Sequence, residues 1–568
     1  MSKFDLVIRG GTVIDGSGGE PFVGDVAISD GMIAAIGAFT GSGTEEIDAA
    51  GRIVTPGFVD PHTHYDGQAV WSERLSPSSS HGVTSVVIGN CGVGFAPCRA
   101  ADRAILIDVM EGVEDIPGVV MADGLPWNWE TFPEFLDALD AGRRDIDLAA
   151  FLPHSPLRVY AMGSRGANRE PANDDDLATM RGLAREAIEA GAIGFATSRL
   201  LIHKTASGEA IPSFEADTAE LKAITAGMAD AGSGLLQVVP NLFRGLGPEY
   251  ELVADVAESC GRPVTVTLGT SNEGSRNWIG ALAVMDAAAE RGVRITSQVL
   301  PRPIGMVEGL ELSIHPFVLC PSYRQVSKLP LAEKLAALRN PGLRARLIAE
   351  EPDPGHPLAQ LGRDWNWLFP FAGEPNYAPS KDSSVAAQAV RAGVTPAEWA
   401  YDWLTAGEGG NFLLATLGNF YEGKLDTVKA LLSRPDCIVG LGDGGAHYSA
   451  ICDASYPTFM LTHWVRDSNG AGFALEQAVN MLTRKPALAM GLGDRGLLAP
   501  GMKADLNVID LARLHLAMPH IAYDLPAGGR RLDQRASGYD ATIVSGTVIR
   551  RFDEDTGARP GKLVRGAR

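Results

Sequence analysis

Two histidines one residue apart, His62 and His64, follow a short apolar segment near the start of the chain. Side chains at positions i and i+2 of an extended segment point to the same side, so both rings can bind one metal ion through a nitrogen. Isolated pairs of this kind are often incidental surface residues. Here the pair comes directly after an apolar strand and the dipeptide Pro56-Gly57, and this position favours a metal site.

A cysteine and an aspartate are the further candidate ligands. Cys91 lies next to glycines after the apolar segment Val83–Ile88, and its thiolate could be a third ligand; the alternative is a small buried side chain that packs as a hydrophobe. Asp443 lies in a glycine-rich segment, where it can bind the ion and accept a proton from water; the alternative is a turn aspartate. Two nitrogens, a sulfur and an oxygen predict one divalent ion, with zinc as the default metal.

These candidate ligands follow the first, second and eighth of eight apolar segments that alternate with amphipathic helical segments. Such alternation is typical of βα units around a parallel sheet, and eight units predict a closed, TIM-like (β/α)8 barrel with its site at the C-terminal strand ends. The alternative, an open doubly wound sheet, would carry a phosphate-binding loop near its first strand, and the sequence has none there. The predicted strands are Val54–Asp60, Val83–Ile88, Leu148–Leu152, Ala192–Ala196, Gly234–Val239, Val264–Leu268, Arg294–Val299 and Cys437–Leu441, and the clearest predicted helices are Asp174–Ala190, Thr218–Asp230 and Asn277–Arg291.

Both ends of the chain read as short strands joined by tight turns, such as Val23–Ser29 and Met32–Ile36 across Asp30-Gly31. We therefore predict a small β-sandwich domain built from residues 1–55 and 491–568, with the barrel over residues 56–490. Two unrelated sheet appendages are the alternative. The long connection between the seventh and eighth strands is expected to cover one end of the barrel.

Composition narrows the class of protein. The 568 residues include 49 Lys and Arg against 69 Asp and Glu, a net charge of −20, which argues against a nucleic-acid or anionic membrane surface. No apolar run approaches the ~18 residues of a membrane span, and the N-terminal residues do not resemble a signal peptide. Six cysteines in so long a chain do not form a disulfide framework. These observations predict a cytoplasmic protein with a small-molecule substrate, and they leave a homo-oligomer open.

The ordered set of motifs resembles the amidohydrolase superfamily and, within it, the N-acyl-D-amino-acid deacylases (D-aminoacylases). The matching segments are residues 54–64, 82–92, 154–158, 191–195, 442–444 and 495–506. The resemblance implies a metal-dependent hydrolase of C–N bonds in which His62, His64, Cys91 and Asp443 stand at ligand positions. It also implies that Asp443 is the catalytic carboxylate.

The resemblance fails at strands five and six, where the deacylases carry ligand histidines and a lysine that are missing here. Strand five offers only Gln237, and a neutral amide is a poor ligand for zinc. No lysine lies between Lys3 and Lys204, so a carboxylated bridging lysine is not expected either. A two-metal site of the usual composition therefore cannot be built. If all four residues bind the ion, a tetrahedral site has no position left for water. Catalysis would then need a five-coordinate ion or a Cys91 that does not bind it. The third possibility is an active site that has lost its metal.

Basic residues after strand four are the candidates for substrate binding. The guanidinium of Arg199 could hold a substrate carboxylate through two parallel bonds, and His203 could assist or replace a missing ligand; the alternative is a solvated basic loop. Gln237 and Arg302 complete the predicted substrate contacts. The leading hypothesis is hydrolysis of the amide bond in an N-acyl amino acid or a related carboxylate-bearing amide. Alternatives are a ring-opening hydrolase of a cyclic amide, imide or lactone, and a non-catalytic binding protein on a decayed barrel.

Overall fold

The computed structural model describes residues 2–352 and 361–566, and its largest unit is an eight-stranded parallel sheet. Each strand pairs with the next one along the chain, so the order in the sheet is the order in the sequence. Seven of the eight predicted strands are confirmed, with shifts of at most two residues at their ends, whereas the segment predicted as the first is divided between two strands. Barrel strands one to eight are Phe58–Asp60, Val83–Ile88, Asp147–Pro153, Gly194–Ser198, Leu235–Val239, Val264–Thr267, Ile295–Val299 and Cys437–Val439.

The first and eighth strands meet just beyond their C-terminal ends. The backbone N–H of Asp443 donates to the carbonyl of His62 over 3.0 Å, and the N–H of His64 donates to the carbonyl of Gly444 over 2.8 Å. These bonds nearly close the sheet into a barrel. They also place the segment with both histidines against the segment with Asp443.

Helices between the strands surround the barrel, and the three clearest predicted helices are confirmed within one residue at each end. Asp174–Ala190 begins with a capping box, in which Asn173 and Asp176 each accept from the other's backbone N–H, and ends at Gly191 with φ +117°. The longer helices are Arg103–Glu114, Gly118–Gly124, Phe132–Ala141, His154–Met162, Asp174–Ala190, Thr218–Asp230, Leu246–Cys260, Trp278–Glu290, Asp426–Leu432, Leu475–Leu482 and Arg484–Ala489.

One prediction is wrong in detail: the apolar run Val54–Asp60 is two strands. Ile53–Pro56 pairs in the small sheet, whereas Phe58–Asp60 is barrel strand one. Gly57 lies at the crossing, and a Cβ there would lie 2.2 Å from Oγ1 of Thr84. Only a glycine therefore lets the chain pass from one sheet to the other so close to strand two.

The two chain ends form one nine-stranded sheet around its own apolar core. Val54 pairs with Val508, so the ends belong to a single small domain and are not separate appendages. Asp30 and Gly31 both have positive φ, as a type I′ hairpin turn requires. The exact domain bounds stay a prediction. The strands are Ser2–Val13, Phe22–Ser29, Met32–Gly37, Gly41–Asp48, Ile53–Pro56, Leu506–Ile509, Tyr539–Val544, Thr547–Arg551 and Glu554–Asp555.

The connection between barrel strands seven and eight forms a unit with its own apolar core. A three-stranded antiparallel sheet buries Val307 and Leu414 against the barrel and Leu413 against the helices of the unit. Val307 also donates its backbone N–H to Ala450, in the loop after strand eight. The unit contains strands Ile304–Glu308, Leu368–Phe371 and Phe412–Gly418, and helices Leu331–Leu338, Pro341–Ala349, Val385–Ala392 and Pro396–Thr405.

Two further observations concern the cysteines and the length of the helices. All six cysteines are free thiols. In the two described ranges, none of the helices has the length and apolar character needed to cross a membrane.

Candidate metal centre

Two imidazoles and a thiol converge at the end of barrel strand one. Sγ of Cys91 lies 3.4 Å from Nε2 of His62 and 3.7 Å from Nε2 of His64. Both histidines are at most 2% exposed, and Cys91 is also buried. Three of the four predicted ligands are thus preassembled.

Asp443, the fourth predicted ligand, approaches the same two nitrogens from strand eight. Its Oδ1 lies 3.6 Å from Nε2 of His62 and 3.8 Å from Nε2 of His64, and this oxygen is buried with no hydrogen-bond partner in the described part of the chain. The residue has φ +47°, and the adjacent Gly442 has no room for a side chain, because a Cβ would lie 2.0 Å from Oδ2 of Asp60. A strained, glycine-flanked turn therefore presents the carboxylate to the histidines.

Cys91 is held in place by a turn after strand two. Its own φ is +58°, and Gly92, also at positive φ, packs so closely that a Cβ would lie 2.7 Å from Cα of Thr197. The backbone N–H of Cys91 donates to Oε1 of Gln237 over 3.1 Å. In this arrangement Gln237 supports the cysteine backbone; its predicted contact with substrate stays a prediction.

The outer nitrogen of His62 has an amide partner that fixes its tautomer. Oε1 of Gln298 lies 2.8 Å from Nδ1, and the same amide donates through Nε2 to Oγ1 of Thr265 over 3.0 Å. Because the amide oxygen must accept, Nδ1 of His62 carries the proton and Nε2 keeps a lone pair for a metal.

The outer nitrogen of His64 faces a carboxylate that the sequence analysis missed. Oε1 of Glu114 lies 3.3 Å from Nδ1 of His64, and Oε2 lies 3.7 Å from Nε2 of His447. Glu114 ends the helix Arg103–Glu114 on the face that also buries Met110. A glutamate on an apolar helix face is the only local signal that could have found it.

Burial sets the protonation of the centre before any ion binds. It lowers the pKa of His62 to about 4 and that of His64 well below its usual value, so both rings are neutral ligands at pH 7. Burial also raises the pKa of the Cys91 thiol and of the Asp443 carboxyl well above their ordinary values, and nearby carboxylates add to both effects.

These residues fit a divalent cation. Zn²⁺ bonds of about 2.0–2.3 Å place the ligand atoms of a tetrahedral site about 3.3–3.8 Å apart. Four of the six distances between the ligand atoms, those that join Cys91 Sγ and Asp443 Oδ1 to the two Nε2 atoms, fall between 3.4 and 3.8 Å. The cluster in which every ligand atom lies within 4.8 Å of every other contains His62, His64 and Cys91 and leaves out Asp443. A cation would also give the unpartnered Asp443 oxygen the positive partner that it lacks.

Both arginines that were predicted to bind substrate already have carboxylate partners. Nε of Arg199 lies 2.8 Å from Oε2 of Glu249, and Nη2 of Arg302 lies 2.8 Å from Oδ1 of Asp453. Arg302 is fully buried, with its guanidinium 3.7 Å above the ring of Tyr377. A substrate carboxylate would have to compete with these partners, so the roles of both arginines stay predictions.

His203 is not part of the cluster formed by His62, His64 and Cys91. Its Nδ1 is 2.8 Å from Oγ of Ser198. Burial of the ring is the main cause that lowers the pKa of His203 to about 3. A role for His203 at the substrate or the metal stays a prediction.

Comparison with known proteins agrees with the fold and with the motifs. A D-aminoacylase of Alcaligenes xylosoxydans xylosoxydans is 26% identical to this chain, covering 99% of this chain and 97% of that protein. An N-acyl-D-glutamate deacylase of the same organism is 29% identical, covering 100% of this chain and 97% of that protein. The crystal structure of N-acyl-D-glutamate deacylase from Bordetella bronchiseptica, complexed with zinc and a phosphonate inhibitor, superposes with a TM-score of 0.65 at 25% identity over 100% of both chains.

A sequence model of the amidohydrolase family matches residues 45–550, which include the whole barrel and all four candidate ligands. The chain therefore belongs to the amidohydrolase family.

Proposed function

We propose that this enzyme hydrolyses the amide bond of an N-acyl amino acid with one zinc ion held by His62, His64, Cys91 and Asp443. The observation that carries the proposal is the cluster of His62, His64 and Cys91, whose ligand atoms all lie within 4.8 Å of one another at the C-terminal mouth of the barrel. Oδ1 of Asp443 lies 3.6 and 3.8 Å from the two imidazole nitrogens of this cluster. Relatives named as deacylases of D-amino acids, similar over nearly their full length, support the substrate class.

When bound, a zinc ion would supply Lewis acidity to the scissile carbonyl and to water, provided that it is five-coordinate or that Cys91 does not bind it, because four protein ligands fill a tetrahedral site. Asp443 would act as the base: its carboxylate would take a proton from water and give it to the leaving amine. The backbone bond from Asp443 to His62 holds the base beside the two imidazoles. The two imidazoles are buried, whereas the Asp443 side chain is partly exposed, so low polarity strengthens the electrostatic interactions mainly on the histidine side of the centre.

One observation favours a second candidate, the ring-opening hydrolysis of a neutral cyclic amide. Arg199 and Arg302 are both paired with carboxylates, and a neutral cyclic substrate needs no cation to anchor it. The same metal centre would serve either reaction.

A screen with the zinc-loaded enzyme separates the two. The panel contains N-acyl-D-amino acids, the matching N-acyl-L-amino acids and cyclic amides, with Asp443→Asn as the inactive control and product detection by mass spectrometry. Release of free amino acid supports the proposal and reads out its chirality. Ring opening alone supports the second candidate, and no turnover of any compound by fully loaded enzyme contradicts both.

The cellular location and the assembly state belong to the same proposal. We propose a cytoplasmic location, with free thiols at all six cysteines as support, and a homo-oligomer stays open. Cell fractionation and light scattering after size-exclusion chromatography test them.

A further inference from the structure

Glu114 is a carboxylate that is buried at the end of the helix Arg103–Glu114. It is 1% exposed, and in the described ranges neither of its oxygens has a hydrogen-bond partner. An unpaired buried carboxylate costs stability, so a chain that keeps one gains something else from it.

Its two oxygens face two different histidines. Oε1 lies 3.3 Å from Nδ1 of His64, an atom that is also without a partner within the described residues, so two unpartnered atoms face each other. Oε2 lies 3.7 Å from Nε2 of His447, whose backbone N–H donates to the carbonyl of Glu114. The carboxylate thus lies between a metal ligand and the loop that follows Asp443.

We propose that Glu114 is a positioning residue that orients His64 for the metal and ties the His447 loop to the same point. A carboxylate that accepts from Nδ1 fixes the tautomer of a ligand histidine, aims its Nε2 at the ion and makes that nitrogen a stronger donor. The inference rests on the metal site of the proposed function, and it extends that site by one carboxylate.

The two ligand histidines then differ in the group that faces their outer ring nitrogen. The outer nitrogen of His62 meets the neutral amide of Gln298 at 2.8 Å, whereas that of His64 meets a carboxylate. Charge-assisted bonds are the stronger kind, so His64 is the better electron donor of the pair. Its contribution to metal affinity depends on Glu114.

The test is the zinc affinity of purified variants, measured by competition with a chromophoric chelator at one pH. We expect Glu114→Gln to weaken zinc binding about 10- to 100-fold, the range usual for outer partners of metal ligands. Glu114→Asp keeps the charge but withdraws it from His64 by one methylene, and we expect a loss of similar size. If both variants bind zinc as tightly as the parent, the proposal is overturned. If only Glu114→Asp binds zinc as tightly as the parent, the charge of residue 114 matters but its position does not, and the positioning role is contradicted.

Two controls separate positioning from other causes. Glu308→Gln also removes a fully buried carboxylate that has no hydrogen-bond partner among the described residues, but on a strand of the unit between barrel strands seven and eight, and it should keep parental zinc affinity. His447→Gln removes only the contact between Glu114 and the His447 ring, and it should also keep parental zinc affinity. A loss of affinity equal to that of Glu114→Gln would show that Glu114 does not act through His64.

Thermal melting of the metal-free proteins gives a readout that does not depend on activity. Metal-free Glu114→Gln should melt no lower than the parent, because a neutral amide costs less to bury than a carboxyl group without a hydrogen-bond partner in the described residues. A lower melting temperature with unchanged zinc affinity would make Glu114 a structural residue and contradict the proposal. If the parent enzyme itself binds no zinc, this result contradicts the metal site of the proposed function, on which the inference about Glu114 rests.

Discussion

Nε2 of His62 lies 3.6 Å from Oδ1 of Asp443, although the two residues follow the first and the last strands of the barrel. The same backbone bond that joins these strand ends, from Asp443 N–H to the carbonyl of His62, sets this distance. The bond that joins the first and last strand ends therefore also brings two of the candidate ligands together. Substitutions that loosen the closure should weaken metal binding even where they touch no ligand.

Removal of either ligand histidine should abolish zinc binding. We expect His62→Ala and His64→Ala each to lower the zinc content to near zero, because the two ring nitrogens come from one strand end and neither has a substitute. The measurement is zinc per chain by plasma mass spectrometry after dialysis. His515→Ala is the matched control, since that half-exposed histidine lies in the C-terminal region and pairs with Glu374; full occupancy in the double ligand variant would place the site elsewhere.

Asp443→Asn should separate catalysis from folding. The amide keeps the shape of the side chain but cannot accept a proton, so we expect kcat to fall by about 10² to 10⁴ while the melting temperature stays near that of the parent. Steady-state kinetics and thermal melting check this. Activity within a few-fold of the parent would remove Asp443 from the proton transfer.

Arg199→Lys tests the carboxylate anchor. If the guanidinium of Arg199 shares its charge between Glu249 and a substrate carboxylate, a lysine cannot reproduce the paired geometry. We expect KM for carboxylate substrates to rise about tenfold, equivalent to about 1.4 kcal/mol, with little change for the matching amides. Equal losses on charged and neutral substrates would assign Arg199 to structure alone, through its pair with Glu249.

Zinc affinity should rise with pH. Zinc binds the Cys91 thiolate and the Asp443 carboxylate, and burial raises the pKa of both groups in the metal-free protein, so binding releases protons and weakens as the pH falls. His62 and His64 do not add to this trend near neutrality, because their lowered pKa values leave both rings neutral. Titrations at pH 6 and pH 8 should differ by more than tenfold in Kd; a pH-independent Kd would show that neither group loses a proton.

Two glycine substitutions should have opposite effects on stability. Gly57→Ala places a Cβ 2.2 Å from Oγ1 of Thr84, and we expect a loss of about 1–3 kcal/mol. Gly182→Ala lies in the helix Asp174–Ala190 with no atom within 4 Å of the new Cβ, and we expect a gain of about 0.5–1 kcal/mol. Denaturant unfolding measures both. A stable Gly57→Ala variant would contradict the role of Gly57 as the crossing point between the sheets.

The parts of the site that could be predicted are those that local patterns mark. His62, His64, Cys91 and Asp443 each follow an apolar strand and lie in a short, recognisable segment, so barrel topology alone predicts that they meet. Glu114 has no such pattern. It reaches His64 from the end of a helix between strands two and three, and only the tertiary packing shows that contact.

The prediction of strand one failed for a similar reason. The segment from Val54 to Asp60 is mostly apolar, and its only mark of a division is the dipeptide Pro56-Gly57. Nothing in its periodicity shows that Ile53–Pro56 pairs with the chain ends while Phe58–Asp60 pairs with strand two. The carboxylate partners of Arg199 and Arg302 could not be predicted from the sequence either, because Glu249 and Asp453 lie on elements far along the chain.

Zinc K-edge X-ray absorption on the enzyme loaded with one equivalent of zinc tests the proposed ligand set most directly. We expect one sulfur neighbour at about 2.3 Å, from Cys91, and nitrogen or oxygen neighbours at about 2.0–2.2 Å, two of them imidazoles. The sulfur signal should disappear in Cys91→Ser. A parent spectrum with nitrogen and oxygen neighbours only would contradict the proposed ligand set.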